Sequence, residues 1–86
     1  MKDLEKVLKA LANRRRLTIL RYLKANREAS VGEMAGAIKL SFRSTSKHLS
    51  ILAAADIIDK EQRSLTVYYR LANPLPQAAR ALLHLV

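Results

Sequence analysis

Residues 40–52 read L-S-F-R-S-T-S-K-H-L-S-I-L, and several of them are of types that bind a polyanion. At 100° per residue, Arg43, Ser44, Lys47 and Ser50 fall on one side of a helix. Two cations among small hydroxyls suit the major groove of DNA. Small side chains permit close approach, and cations meet phosphates or guanine edges. Phe42, Thr45, Leu49 and Leu52 fall on the other side and are expected to face a core. Ser41 is placed as the N-cap, its hydroxyl accepting from the free N–H groups of the first turn. An ordinary amphipathic surface helix would show the same pattern, so the rest of the chain decides between the two. Catalysis has no support: there is no nucleophile–base pair, carboxylate dyad or glycine-rich phosphate loop. No cofactor is expected.

The helix that presents these residues belongs to a chain of 86 residues, the size of one small domain. Half of the residues are hydrophobic, many of them Ala and Leu, and only 5 % are aromatic. That composition favours helices. Two glycines and two prolines leave little material for loops. Sixteen Lys and Arg against seven Asp and Glu give a net charge of +9. Such a charge argues for a polyanionic partner, either nucleic acid or an anionic membrane surface, or else serves solubility alone. The absence of cysteine excludes disulfides, thiolate metal sites and cysteine nucleophiles. The N-terminal stretch has no apolar run like a secretory signal. No segment approaches the roughly 20 apolar residues of a membrane span. A cytoplasmic location is the expectation.

In chain order, residues 1–12 read as a helix with an apolar stripe of Leu4, Val7, Leu8 and Leu11. So narrow a stripe needs covering, by the rest of the domain or by a second subunit. Asn13 can cap a second helix over 14–25, which reads as the central one. Arg14, Arg15 and Arg16 crowd its first turn, where the helix dipole disfavours cations. They either meet a phosphate backbone or form a solvated charge run with Arg16 in a local ion pair. Ser30 and Glu33 have the spacing of a capping box and open a helix to about residue 38. This helix, a turn at Lys39 and Leu40, and the stretch from Ser41 make a helix-turn-helix. Asp56 can take the left-handed conformation that stops a helix. Residues 57–61 and 65–71 read as two strands joined through 62–64, a hairpin or wing. Tyr68 and Tyr69 alternate faces, one inward and one outward. Pro76 suits the start of a last helix over 76–85.

These pieces, in this order, resemble the ArsR family of winged-helix repressors. The resemblance is carried by Leu8-Lys9-Ala10-Leu11-Ala12-Asn13 with Arg16-Leu17 and Ile19-Leu20. It continues through Glu33-Met34-Ala35, Leu40-Ser41, Ser46-Lys47-His48-Leu49 with Leu52, and Val67-Tyr68-Tyr69. The family implies a mainly α fold with a small β-hairpin, a winged helix-turn-helix of order α-α-α-α-β-β-α spanning residues 1–86 as one domain. It implies a homodimer built on 1–12 and 76–86, binding double-stranded DNA at an inverted repeat. Arg43, Ser44, Lys47 and His48 would lie on the DNA face, with Ser41 and Ser46 beside them. Arg63 and Lys60 would lie on the wing. Ser46 is equally a helix-surface filler, and His48 is placed at the edge of the interface, with a hydrogen bond inside the domain as its alternative. Three departures stand out. The family's thiolate metal site cannot exist without cysteine. Its site on the last helix lacks carboxylates here, where only His84 is available, so no metal is expected. Asp56 and Ser64 stand where relatives often carry glycine. The function expected is sequence-specific regulation of transcription by a repressor without metal sensing. Non-specific chromatin-like binding and a protein-interaction winged helix are the alternatives.

Overall fold

The apolar stripe of the N-terminal segment forms α1, Lys2–Leu11. The structure, a computed structural model, describes residues 2–86, so Met1, the expected first residue of this helix, lies outside the described residues. Asn13 caps α2, Arg14–Ala25, its Oδ1 accepting from the Arg16 N–H at 3.1 Å. Ile19 and Leu20 of α2 are wholly buried, as expected of the central helix. The capping box is present in full. Ser30 Oγ accepts from the Glu33 N–H, and Glu33 Oε1 accepts from the Ser30 N–H at 2.8 Å, opening α3, Val31–Ile38. Lys39 takes the left-handed conformation (φ 57°), and the Leu40 N–H returns to the Ala35 carbonyl at 3.0 Å. That closure ends α3 and lets the chain turn at once into α4, Phe42–Ala54. Asp56, at φ 60°, stops α4 in the same way, with the Ile57 N–H on the Leu52 carbonyl at 3.1 Å.

The wing follows as β2, Ile58–Arg63, and β3, Thr66–Leu71, paired antiparallel with Arg63 opposite Thr66. The turn is therefore Ser64–Leu65, with Ser64 at φ 57°. Gln62 and Arg63, expected in the link, belong to the strand. The sheet also has a third strand, β1, Ala29–Ser30, paired antiparallel with β3 so that the sheet order is β1-β3-β2. Two residues carry no periodicity of their own, so this strand leaves no trace in the sequence pattern. The last helix, α5, is Gln77–Leu83 with Pro76 at its cap, shorter at both ends than the expected 76–85. Leu85 lies past the end of the helix and protrudes into solvent.

The core joins Val7 and Leu11 of α1, Ile19, Leu20 and Leu23 of α2, Met34 of α3, Leu49 and Leu52 of α4, and Ile57 and Tyr69 at the wing base. This is a winged helix-turn-helix. Its α3–α4 pair and wing are held on one body by side chains from every element. Tyr69 is the inward tyrosine and Tyr68 the outer, partly exposed one. Phe42 corrects the helical wheel. It was expected in the core with Thr45, Leu49 and Leu52, yet it is 63 % exposed while those three are buried. As the first residue of α4 it lies beyond the body that covers the later turns.

Candidate nucleic-acid interface

Ser41 caps α4 as expected, its Oγ accepting from the Ser44 N–H at 3.1 Å. Its carbonyl also accepts from the Thr45 hydroxyl at 2.8 Å, which satisfies the one buried polar side chain of the helix. With this end fixed, Arg43 and Lys47 project from the exposed face, one turn apart. Among the described residues neither makes an ion pair or a side-chain hydrogen bond. Ser44 and Ser46 are partly buried on the two flanks of that face.

His48 is engaged within the domain. Its Nδ1 lies 3.2 Å from Nη1 of Arg16. A guanidinium has only donors, so Nδ1 accepts and the ring proton sits on Nε2. Burial pushes the pKa of His48 below the ordinary 6.5, and the charges of Arg16, Lys47 and Arg15 push it the same way. Arg16 itself donates through Nε to the Ala10 carbonyl and through Nη2 to the Lys9 carbonyl. Its side chain thus ties the last carbonyls of α1 to α4. The sequence left Arg16 between a phosphate contact and a local ion pair; in the fold it binds backbone carbonyls and an imidazole. Lys24, at the other end of α2, does the same for α5, donating to the Leu83 carbonyl at 2.8 Å and the Val86 carbonyl at 3.2 Å. Both cations sit where the negative end of a helix dipole favours them. Arg14 and Arg15 remain exposed at the start of α2.

The wing is arranged differently. Arg63 donates to the Glu28 carboxylate and lies 4.0 Å from the centre of the Tyr68 ring. That hydrogen bond holds the Glu28 carboxyl below the usual carboxylate range and raises Arg63 further. Arg70 donates to Glu61 at 3.0 Å across the hairpin. Lys60 is exposed, and no ion pair holds it among the described residues.

The eight expected contact residues therefore divide. Ser41, Arg43, Ser44, Ser46 and Lys47 cluster at the start of α4, His48 turns back to α2, and Lys60 and Arg63 lie apart on β2. Among the described residues no group of three or more His, Cys, Asp or Glu could hold a metal. No helix there is long and apolar enough to cross a membrane.

The model of the arsR family of bacterial regulatory proteins matches residues 13–60, from the cap of α2 into the wing. The chain is 40 % identical over 78 residues to the transcriptional activator HlyU of Vibrio cholerae serotype O1, covering 91 % of this chain and 71 % of that protein. Among solved structures, reduced HlyU of Vibrio cholerae superposes with a TM-score of 0.81 at 34 % identity, over 98 % of this chain and 84 % of that one. A homodimeric winged helix-turn-helix DNA-binding domain of Mycobacterium bovis gives 0.83 at 30 %, over 98 % and 74 %. NolR of Sinorhizobium fredii gives 0.83 at 30 %, over 98 % and 80 %.

Proposed function

Because the chain belongs to the ArsR family of bacterial regulatory proteins and is a winged helix-turn-helix transcriptional regulator, we propose that it acts as a cytoplasmic homodimeric repressor. In this reading it binds a specific inverted repeat and needs no metal signal. The observation that carries the reading is the start of α4, where Arg43 and Lys47 stand exposed, without a partner among the described residues, beside the cap at Ser41. Side chains at that end would meet the base edges as the N-terminal residues of a recognition helix do. Arg43 suits a guanine edge and Lys47 a phosphate.

A dimer through α1 and α5 is favoured by Leu4 and Leu8. They stay 41 % and 45 % exposed on α1 although the same helix packs on α5. The Mycobacterium bovis domain of the same fold is homodimeric. Two chains at +9 each carry about +18, so counterion release should make binding fall steeply with salt. Repression would follow where the repeat overlaps a promoter, since a domain lying there excludes the polymerase. The lack of cysteine and of carboxylates beside His84 supports a regulator read out without metal.

In-vitro selection from randomised duplex DNA at roughly physiological salt tests this. Enrichment of an inverted repeat, with half-sites about one helical turn or a multiple apart, is expected. Transcription from a promoter carrying that repeat should then fall as protein is added. DNA retained without any enriched sequence would leave an architectural, chromatin-like protein. No retention would favour a protein-interaction module.

A further inference from the structure

We propose that Phe42 reads thymine through its 5-methyl group. This rests on the reading of α4 as the recognition helix. Phe42 is the first residue of that helix, directly after the cap and beside Arg43. Its ring is 63 % exposed, and it lines a groove with Ser46 on the next turn and with Leu65 and Thr66 of the wing. The core does not account for an aromatic ring at this place, since most of its surface stays open to solvent. Substitution by a small polar residue would leave the cap and the buried Thr45, Leu49 and Leu52 untouched. What the ring offers is apolar surface at the one end of the helix that reaches base edges first.

The chemistry of the duplex then selects its target. A phenyl ring has neither donor nor acceptor, so it cannot distinguish the polar patterns of the base edges. The apolar marker in the major groove is the methyl group of thymine. The neighbours fit the same ligand. Arg43 and Lys47 favour a polyanion over an apolar protein surface, and the ring stands exposed next to Arg43 at the same end of the helix. Direct reading would then be divided along one turn, with Arg43 on a guanine and Phe42 on an adjacent thymine.

The test uses the selected operator with thymines replaced one at a time by deoxyuridine, which removes the methyl and keeps every hydrogen-bonding group. Affinities of wild type and Phe42→Ala are compared at fixed salt. Burying one methyl corresponds to about a fourfold change. For wild type, uracil at one position per half-site should therefore weaken binding roughly fourfold each, and roughly 15-fold when both half-sites are changed. Phe42→Ala should bind the thymine operator correspondingly more weakly and respond equally to thymine and uracil. Where that base pair is replaced by C·G, 5-methylcytosine should be bound better than cytosine by wild type and not by Phe42→Ala.

An equal uracil penalty in both proteins overturns the inference. So does a wild type indifferent to uracil at every position that still separates operator from random DNA; that outcome leaves the proposed function standing. A wild type that does not separate the two overturns the function and the inference together.

Discussion

The recognition helix and the wing both carry arginines, in opposite circumstances. On α4, Arg43 has no side-chain partner among the described residues, and Lys47 one turn on has none either. On the wing, Arg63 is held by Glu28 and Tyr68, and Arg70 by Glu61. A cation with no internal partner offers its full charge to a ligand. A cation already paired must exchange one carboxylate for one phosphate, and the gain is the small difference between two solvent-screened contacts. In the proposed complex the wing would therefore contribute shape and register more than charge, Lys60 excepted. The helix would contribute charge at a fixed place. A third arrangement supports the first, because Arg16 has no carboxylate and spends its donors on holding α4 to the end of α1.

The contrast is open to direct attack. Replacing Arg43 by Ala should remove about 1–3 kcal/mol of discrimination between operator and mismatched DNA, read as a ratio of Kd values. A uniform loss on all sequences would place Arg43 on phosphate and erase its distinction from Lys47. Arg16→Ala should lower domain stability by about 1–2 kcal/mol in a denaturant melt, because the Ala10 and Lys9 carbonyls lose a charged donor. An unchanged melt would mean the tie behind α4 carries nothing.

The wing gives a change of opposite sign. Glu28→Gln frees Arg63 and removes a negative charge, so low-salt DNA affinity should rise severalfold while Arg63→Ala lowers it less than Lys47→Ala does. Equal losses for the two cation variants would show that pairing with Glu28 does not matter.

The smallest effect is on pH. His48 titrates below 6.5 in the folded state, so the unfolded chain takes up its proton first. The stability tied to neutral His48 is complete above about 6.5 and drains as pH falls through the folded value. Glu28 is depressed below 4.5, so the wing pair persists until strongly acid pH. A melt series from pH 7.5 to 5 should fall slightly in wild type and less in His48→Gln. Equal slopes would remove His48 from the account.

Much of this was legible because caps are local. Asn13, Ser30 with Glu33, and Ser41 announce α2, α3 and α4 through contacts three residues away, and Asp56 stops α4 as its type allows. Phe42 was misplaced because a helical wheel counts angle and ignores height. Its angle matches Leu49, but it stands where no core lies alongside. In the last helix, Leu85 was expected within the helical span 76–85, but the helix ends at Leu83. The start of α4 was readable as a basic, small-residue face. The tie of Arg16 to His48 spans 32 residues, and the grip of Glu28 on Arg63 spans 35. No spacing rule reaches across such gaps, so both depend on how α2 and β2 come to lie in three dimensions.

Ser30 occupies two roles at once. Its backbone pairs with Tyr68 as the last residue of β1, and its hydroxyl caps α3. Wing and helix-turn-helix therefore share a residue, with no spacer between them to absorb a displacement. A transplanted wing would have to arrive with Ala29 and Ser30 attached, since β3 alone would leave its outer edge open and the graft without an anchor. Evolution of new wing shapes is in this sense confined to the hairpin tip around Ser64 and Leu65, where length and composition can vary without pulling on the reading helix.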